Sequence, residues 1–369
     1  MANQDGRAGD IKRGRKMLDQ LNNAKSEMDE MHSLFKIILS LISFFGCLGN
    51  GLVVYTLSRH RYQSRFANLM LVHQSILDAI VCAIAIALVV APFETQPINS
   101  QFNATCTSVG APFIPLIASC FLWQSQIFYW YFVFASVQNL ILIAIDRYLA
   151  VFRSIRYKSL SSREGGILIA VLHIYSLFVN IVDLFDVCYE PSTKICHSNY
   201  LAVTTSQGFQ RFYGVSWFFM VYVIPVVSVF VIYSSIIVKL NNSVRASRSI
   251  KDGSNDDSCV TFTSAATSRV QQRAATELTK STAIITLIFI LCFAYDSIFY
   301  LLGRLEIAYY EFGSLRQLPG VALVALNSCL NPLVYCIFMK SFRQRITQSL
   351  SCCNKSFETN DGLNTRSPS

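Results

Sequence analysis

Polar side chains interrupt several long apolar stretches of this chain, where a lipid environment would make each of them costly. They are Asp78, the triplet Asp146-Arg147-Tyr148, Asn327 and the run Asn331-Pro332-Leu333-Val334-Tyr335. Asp146 can hold its neighbour Arg147 in a local ion pair until another partner competes for the arginine. Taken alone, the triplet also suits an arginine that extends to the membrane interface. The chemistry that these residues predict is a switchable contact inside a membrane.

Motifs typical of an enzyme's active site do not stand out. We find no Gly-rich phosphate loop, no zinc-spacing cluster and no nucleophile-base pair in the sequence. His173 lies within the fourth apolar stretch, where we expect a buried structural histidine and not a catalytic one. We therefore predict that the protein is not an enzyme.

The composition places these residues in a membrane protein. Of the 369 residues, 53% are hydrophobic and only 14% are charged, whereas a soluble domain has about a quarter charged residues. So little polar surface could not cover the apolar surface in water. The composition therefore disfavours a soluble enzyme and favours an integral membrane protein.

Seven apolar runs are long enough to cross the hydrocarbon core, which takes roughly 20 residues of helix. They cover approximately residues 35–57, 67–91, 117–151, 166–187, 213–238, 281–303 and 317–339. We predict an all-α membrane protein, a seven-transmembrane helix bundle with a short amphipathic helix after the last span. The domains expected are an extracellular segment over 1–34, the bundle over 35–339 and a cytoplasmic tail over 340–369. The leader has six basic and six acidic residues without sustained apolar periodicity, and we expect it to be flexible.

Basic residues in alternate loops predict the orientation. The loops after spans 1, 3 and 5 are rich in Lys and Arg, and the loops between them are poor in both. The positive-inside rule then puts the N-terminus outside and the C-terminus in the cytoplasm. The net charge of +9 is explained by these loops, so nucleic-acid binding is not needed to account for it.

Four cysteines lie on the oxidising side of the membrane and allow three pairings. They are Cys106, Cys120, Cys188 and Cys196. We favour Cys120 with Cys196, which would join the top of span 3 to the long loop before span 5. Cys106 with Cys188 is the second pair that this connectivity would contain.

Two covalent modifications are predicted from short motifs. The sequon Asn103-Ala104-Thr105 falls in an outside loop, where glycosylation of Asn103 is possible. Cys352 and Cys353 follow the amphipathic run 341–350 just inside the membrane, a position suited to palmitoylation. Two unmodified reduced thiols are the alternative.

The order and spacing of the polar residues on seven spans resemble the rhodopsin-like (class A) G-protein-coupled receptors. The resemblance covers nearly the whole helical region. Its further motifs are Gly49-Asn50 in span 1, Asn68 in span 2, Pro225 and Tyr233 in span 5, and Phe289 in span 6.

The resemblance implies a cytoplasmic site for a heterotrimeric G protein. Arg147 would help to engage the G protein, with Asp146 and Tyr148 beside it, and Tyr233 and Tyr335 would rearrange around the arginine. Pro332 permits a kink in span 7, and Phe289 and Phe293 would act as switches in span 6. The family usually has Cys-Trp-x-Pro in span 6, where this chain has Cys292-Phe293-Ala294-Tyr295. Tyr295 cannot kink the helix as proline does, so the motion of span 6 is expected to differ.

The resemblance also implies a sodium site, with Asp78 as the metal-binding carboxylate. Asp78, Ser136, Asn327 and Asn331 match the positions that bind sodium in many of these receptors. One carboxylate with several neutral oxygens suits a hard cation. A hydrogen-bonded network around a protonated Asp78 is the alternative.

The outer half of the bundle carries the residues expected to bind a ligand. They are Tyr129, Phe293, Asp296, Phe299 and Tyr300, with Trp130 as a further aromatic wall. Tyr129 stands where amine receptors have an aspartate, which argues against a monoamine. Asp183 and Asp186 lie near the same level, and an acidic, aromatic pocket favours a cationic or peptide ligand. Solvated charges at the loop edge are the alternative for these two aspartates.

Together these features predict a plasma-membrane receptor that binds an extracellular ligand, perhaps a peptide, and activates a heterotrimeric G protein. A polytopic transporter or channel is the alternative, although transporters commonly show internal repeats with broken helices and none is visible here. A scaffold that binds ligand without signalling is a third class. The partners expected are the ligand, the G protein and membrane lipid.

Overall fold

The computed structural model describes most of the chain. The described residues are 2–59, 64–90, 95–97, 126–153, 157, 159–190, 195–198, 205–251, 262–310, 314–340 and 342–347. In this part, seven helices are long and apolar enough to cross a membrane, which confirms the predicted fold class. Helices α1 to α4 are Ala2–Arg59, Arg65–Val90, Ile127–Phe152 and Ser162–Asn180. Helices α6 and α7 are Phe262–Arg304 and Leu318–Phe338.

Helix α5 has three parts. Gln207–Phe218 is α-helical, Phe219–Val223 is a π-helical turn, and Ile224–Lys251 is again α-helical. Pro225 lies at the start of the third part and has no backbone N–H. The hydrogen-bond ladder is therefore interrupted at the proline, where a π-turn is a common way to restore helical pairing.

The seven helices pack around α3, which contacts α2, α4, α5 and α6 and is the most buried of the spans. Helix α1 packs against α2 and α7. A Cβ atom at Gly49 would lie 3.1 Å from the Pro332 ring, so the glycine permits the close approach of α1 to the kink site of α7. The outward faces of α4 and α5 expose large apolar side chains such as Ile174 and Phe230, as expected of helices that face lipid.

One predicted helix boundary and one predicted segment differ from the structure. The leader is helical and continuous with α1 from Ala2, where we expected a flexible segment, because its many Lys, Glu, Met and Leu residues favour a helix without an apolar face. The fourth span ends as a 3₁₀ helix, Ile181–Asp186. Residues 117–125 of the third predicted span lie outside the described part of the chain.

Short elements of secondary structure lie at both ends of the bundle. The strands β1 (Thr95–Pro97), β2 (Val187–Glu190) and β3 (Ile195–Ser198) form a small sheet in the order β1, β3, β2. This sheet was not predicted, because such short strands in loops have no clear periodicity. At the other end, residues 342–347 form the predicted amphipathic helix α8, which buries Phe342 and exposes Arg343.

Candidate functional site

The C-terminal end of α3 holds a buried ion pair. Arg147 is 1% exposed and Asp146 is 2% exposed. The Nε of Arg147 donates to Asp146 Oδ2 at 2.8 Å, and Nη2 contacts the same oxygen. The other oxygen, Oδ1 of Asp146, is buried without a hydrogen-bond partner among the described residues. Asp146 thus binds one edge of the Arg147 guanidinium through Oδ2, and its Oδ1 remains an acceptor without a partner among the described residues.

Tyr157, in the loop after α3, also contacts Arg147. Nη2 of Arg147 donates to the Tyr157 hydroxyl at 3.0 Å, and the guanidinium lies 5.9 Å from the tyrosine ring. The same hydroxyl lies 3.0 Å from Ser64 Oγ, which in turn accepts from the Ala67 amide at 3.1 Å. The sequence analysis missed Tyr157 because a single tyrosine in a basic loop has no distinguishing pattern. The start of α2 is thereby joined to the arginine of α3.

Removing the Tyr157 hydroxyl should release Arg147. If Arg147 engages a G protein, as the sequence resemblance implies, Tyr157→Phe should raise basal nucleotide exchange on that G protein about fivefold. The lost hydrogen bond helps to hold Arg147 in the resting arrangement. A hydrogen bond from a charged donor contributes roughly 1.5 to 3 kcal/mol, of which only a part separates the resting from the active arrangement. GTPγS uptake by purified receptor and G protein would measure the change. Tyr175→Phe is the control, because its hydroxyl bonds to the Met220 carbonyl at 3.4 Å on another face. Equal basal rates for Tyr157→Phe and the unmodified protein would contradict the assignment.

The three tyrosines predicted around Arg147 are placed differently. Tyr148 is partly exposed, and its ring stacks on Phe152 at 4.4 Å. Tyr233 and Tyr335 are buried. The Tyr233 hydroxyl interacts with Thr282 and Thr286 of α6, whereas the Tyr335 hydroxyl has no hydrogen-bond partner in the described part of the chain. The structure therefore brings Asp146 and Arg147 together and leaves the buried Tyr335 hydroxyl unpaired.

Asp78 lies at the centre of the bundle and is fully buried. Its Oδ1 accepts from Ser136 Oγ at 2.9 Å and from Ser328 Oγ at 3.1 Å, and its Oδ2 accepts from Asn331 Nδ2 at 2.6 Å. Gln74 Nε2 donates to both carboxylate oxygens, at 3.2 and 3.1 Å. Four side chains from three helices thus converge on one carboxylate, and all of them act as donors.

The residues around Asp78 fit a sodium ion in their chemistry. The carboxylate and the Ser136 hydroxyl are hard oxygen ligands, and Oδ1 of Asn327 and of Asn331 are buried without hydrogen-bond partners among the described residues. Asn327 has no recorded hydrogen bond to Asp78, so the structure joins three of the four predicted residues. Gln74, which was missed, also donates to Ser136 Oγ at 2.6 Å, so a cation there would have to displace its amide.

A zinc site requires several His, Cys, Asp or Glu ligands close together. Within the described residues, no group of three or more of these side chains is placed to hold a metal ion. The donor set at Asp78 contains one carboxylate and otherwise neutral oxygens, which is the type of set that a hard cation prefers. The sodium ion at Asp78 remains a prediction.

The predicted switch residues lie one turn below the outer pocket. Phe289 and Phe293 are buried at 2% and 1% exposure, and their ring centroids are 5.0 Å apart. Helix α6 is uninterrupted at Tyr295, which is exposed and donates its hydroxyl to the Arg316 carbonyl at 2.8 Å. This agrees with the expectation that a tyrosine cannot kink the helix as a proline would.

Asp296 is the buried carboxylate of the outer half. It is 1% exposed, and its recorded hydrogen bond is a long one of 3.5 Å from the Tyr310 hydroxyl. The Tyr310 ring lies 5.2 Å from both Phe299 and Tyr300. The absence of a side chain at Gly320 leaves room for the carboxylate, since a Cβ atom there would meet Asp296 Oδ1 at 2.8 Å. A weakly paired carboxylate beside three aromatic rings suits a cation.

The other two predicted pocket residues lie deeper. Tyr129 is fully buried, and its hydroxyl donates to the Val321 carbonyl of α7 at 3.2 Å. Its ring contacts Trp130 edge to face at 5.2 Å. Tyr129, Trp130 and Phe293 belong to the same buried core of the bundle. Tyr310 joins Asp296 to Phe299 and Tyr300 and was missed, because it lies in the loop after α6.

Asp183 is not a solvated charge at the loop edge. It is 4% exposed, accepts from the Tyr300 hydroxyl at 2.9 Å and pairs with Arg304 Nη2 at 3.6 Å. The Arg304 guanidinium also lies 5.0 Å from the Tyr300 ring centroid. Asp183 is therefore already balanced by a cation of the chain, whereas Asp296 has no recorded ion pair among the described residues.

Several predicted sites lie outside the described residues. Asn103, Cys106, Cys120, Cys352 and Cys353 fall there entirely. Cys188 and Cys196 lie in β2 and β3, but their side chains are outside the described part, as is that of Asp186. The disulfide, glycosylation and palmitoylation predictions remain predictions.

The fold and the buried polar groups define a multi-pass membrane protein with a seven-helix bundle. Residues 49–335 match the family described as "7 transmembrane receptor (rhodopsin family)", and the chain belongs to this family. This confirms the resemblance seen in the sequence and disfavours a transporter or channel.

Several receptors of different names are similar to this chain. The chain is 22% identical to an allatostatin-A receptor of Bombyx mori, over 86% of this chain and 79% of that protein. It is 24% identical to an isotocin receptor of Catostomus commersonii, over 91% and 82% of the two chains. It is also 24% identical to a melanopsin-A of Danio rerio, covering 88% of this chain and 51% of that one.

Proposed function

We propose that the protein is a plasma-membrane receptor that binds an extracellular ligand and promotes nucleotide exchange on a heterotrimeric G protein. Its N-terminus lies outside and its C-terminus in the cytoplasm. The observation that supports coupling is the buried pair of Arg147 with Asp146 at the cytoplasmic end of α3. The unpaired hydroxyl of Tyr335 and the hydroxyl of Tyr233, which lies beside Thr282 and Thr286, are available to rearrange around this arginine when the helices move.

The ligand in this proposal carries a cationic group, as a basic peptide does. Asp296 is the supporting residue, because a buried carboxylate with one weak hydrogen bond is costly until a cation pairs with it. The rings of Phe299, Tyr300 and Tyr310 add favourable contacts to an ammonium or guanidinium group. The similarity to an allatostatin-A receptor and to an isotocin receptor supports the proposal of a receptor for an extracellular ligand.

A ligand panel tests the proposed function directly. Cells expressing the receptor would be exposed to basic peptides, neutral peptides and small amines, with G-protein activation and solute uptake measured in parallel. We expect G-protein activation by members of the basic group without net uptake. Uptake of a ligand without activation would favour a transporter, and saturable binding without either response would favour a scaffold.

Sodium should stabilise the receptor by binding at Asp78 in place of the Gln74 amide. We expect Gln74→Leu to raise sodium affinity about tenfold, because one hydrogen bond from a competing donor contributes about 1 kcal/mol or somewhat more. Thermal unfolding of the purified receptor in sodium chloride and in choline chloride would measure the difference, since a ligand of the folded state raises its stability. Asp78→Asn should remove the difference. Identical unfolding curves in the two salts for both the unmodified protein and Gln74→Leu would exclude the site.

A further inference from the structure

A line of hydrogen-bonded side chains leaves Asp78 and crosses α2, α3 and α4 to the lipid-facing side. Beyond Gln74, Asn139 Nδ2 lies 2.9 Å from Gln74 Oε1, and Asn139 Oδ1 lies 3.0 Å from His73 Nδ1. His73 Nε2 lies 3.1 Å from His173 Nε2, and His173 Nδ1 lies 2.8 Å from the Tyr131 hydroxyl. Gln74 and Asn139 are fully buried, whereas both histidines and the tyrosine are partly buried.

One backbone carbonyl determines the direction of this line. Asn139 Nδ2 also contacts the Met70 carbonyl oxygen at 3.0 Å, and a carbonyl can only accept. The amide nitrogen of Asn139 therefore faces Met70 and Gln74, and its oxygen faces His73. Gln74 must then accept with its oxygen and donate with its nitrogen, which is directed at Asp78. Asn139 therefore donates to Gln74 and Gln74 donates to Asp78, so that both hydrogen bonds point toward the carboxylate.

The same constraint assigns the histidine tautomers. Asn139 Oδ1 only accepts, so Nδ1 of His73 must carry a hydrogen. Neutral His73 then has an unprotonated Nε2, and the contact with His173 requires the hydrogen to lie on Nε2 of His173. Neutral His173 is left with Nδ1 as an acceptor, to which the Tyr131 hydroxyl donates. The geometry thus predicts two different tautomers in one imidazole pair.

The hydrogen-bond pattern of His73 and His173 allows one additional proton to bind. If a proton from solvent binds at Nδ1 of His173, that nitrogen donates to the Tyr131 oxygen, and one hydrogen remains between the two Nε2 atoms. All three contacts persist, and only the Tyr131 hydroxyl changes from donor to acceptor. A second proton would place hydrogens on both Nε2 atoms, which face each other at 3.1 Å, so the pair cannot accept it without separating.

The charge nearest to this pair along the line is that of Asp78. The recorded interactions of the two imidazoles, within the described residues, are with Asn139 and Tyr131 of α3 and with each other across α2 and α4. No Lys, Arg, Asp or Glu side chain of α1, α3, α4 or α7 in that part of the chain is recorded in contact with either ring. Asp78 is five residues from His73 on α2, which is roughly 7.5 Å along the helix.

We propose that His73 and His173 form a binding site for a single proton, coupled to Asp78 through Asn139 and Gln74. The bound proton is attracted by the ionised carboxylate, and by linkage it alters the affinity of Asp78 for any other cation. Acidification, by protonating the histidine pair on the lipid-facing side, therefore changes the cation affinity of Asp78 at the centre of the bundle. This proposal does not rest on the ligand or on G-protein coupling.

Histidine NMR tests the proposal on the full-length receptor. The chain has five histidines, so ¹⁵N-histidine labelling of the protein in lipid nanodiscs gives five imidazole spin systems. His73→Gln and His173→Gln assign the pair by the signals that each removes. In the unmodified protein at high pH, we expect His73 to carry its hydrogen on Nδ1 and His173 on Nε2. On acidification, the two rings should share one proton and titrate with a single common midpoint.

Asp78→Asn tests the coupling. It should lower the proton affinity of the pair about tenfold, because it removes the negative charge that attracts the bound proton through a medium of intermediate dielectric. Glu164→Gln is the control, since this exposed carboxylate lies on α4 with His173 but caps the helix at Ser161, and it should leave the midpoint unchanged. Two identical tautomers, independent titration of the rings, or a midpoint that ignores Asp78 would each overturn the proposal. The tautomers are a property of the unmodified protein, so they remain testable if Asp78→Asn does not fold.

Discussion

Arg147→Ala should reduce nucleotide exchange on a coupled G protein about hundredfold while ligand affinity and surface expression change little. The arginine lies at the cytoplasmic end of α3, far from the outer pocket, and its recorded partners are Asp146 and Tyr157. On activation it would exchange these partners for the G protein. Losing two charge-assisted hydrogen bonds at that interface costs about 3 kcal/mol, which corresponds to a hundredfold loss.

GTPγS uptake in lipid nanodiscs would measure this loss, using an active ligand from the panel at saturating concentration. Arg163→Ala is the control, because this exposed arginine on the first turn of α4 removes the same charge from the same face without touching the buried pair. Its exchange rate should stay within about threefold of the unmodified rate, since exposed charges contribute little. Full exchange by Arg147→Ala would remove the coupling proposal.

Asp296→Asn should weaken the binding of a cationic ligand about hundredfold or more. Asparagine keeps the shape and the contact with Tyr310 but removes the charge that the ligand cation pairs with. Breaking a buried ion pair by removing one member typically costs about 3 to 5 kcal/mol. Competition binding with the most potent basic ligand of the panel would measure the effect, and a neutral analogue of that ligand should lose much less.

The ligand-free receptor provides a second measurement of the same residue. Asp296→Asn should raise the thermal stability of the empty protein, because burial of a poorly paired carboxylate is unfavourable. Glu306→Gln is the matched control, since this exposed carboxylate just beyond α6 accepts only from Gln207 at 3.3 Å in the recorded contacts. Equal affinity for the basic ligand in Asp296→Asn and Glu306→Gln would show that the ligand cation binds elsewhere.

The spans and the family could be predicted from the sequence because both depend on local or additive properties. A helix of about 20 apolar residues is required to satisfy the backbone in lipid, so hydropathy marks each span with little reference to the others. The Asp-Arg-Tyr triplet is a contact between neighbours, and the structure keeps Asp146 on Arg147. The helical leader was missed because its helix does not depend on an apolar face.

The partners of each polar residue were decided only by the tertiary structure. Ser328 meets Asp78, Tyr157 meets Arg147, and Arg304 meets Asp183, although no short motif joins any of these pairs. Hydropathy determines that a helix crosses the membrane, but not how far it rotates about its axis or slides along its neighbour. A rotation of one residue, about 100°, would point Asp78 or His73 at a different helix. The sequence therefore determined the class of protein and which polar residues lie within the spans. The packing of the seven helices decided which of those residues touch.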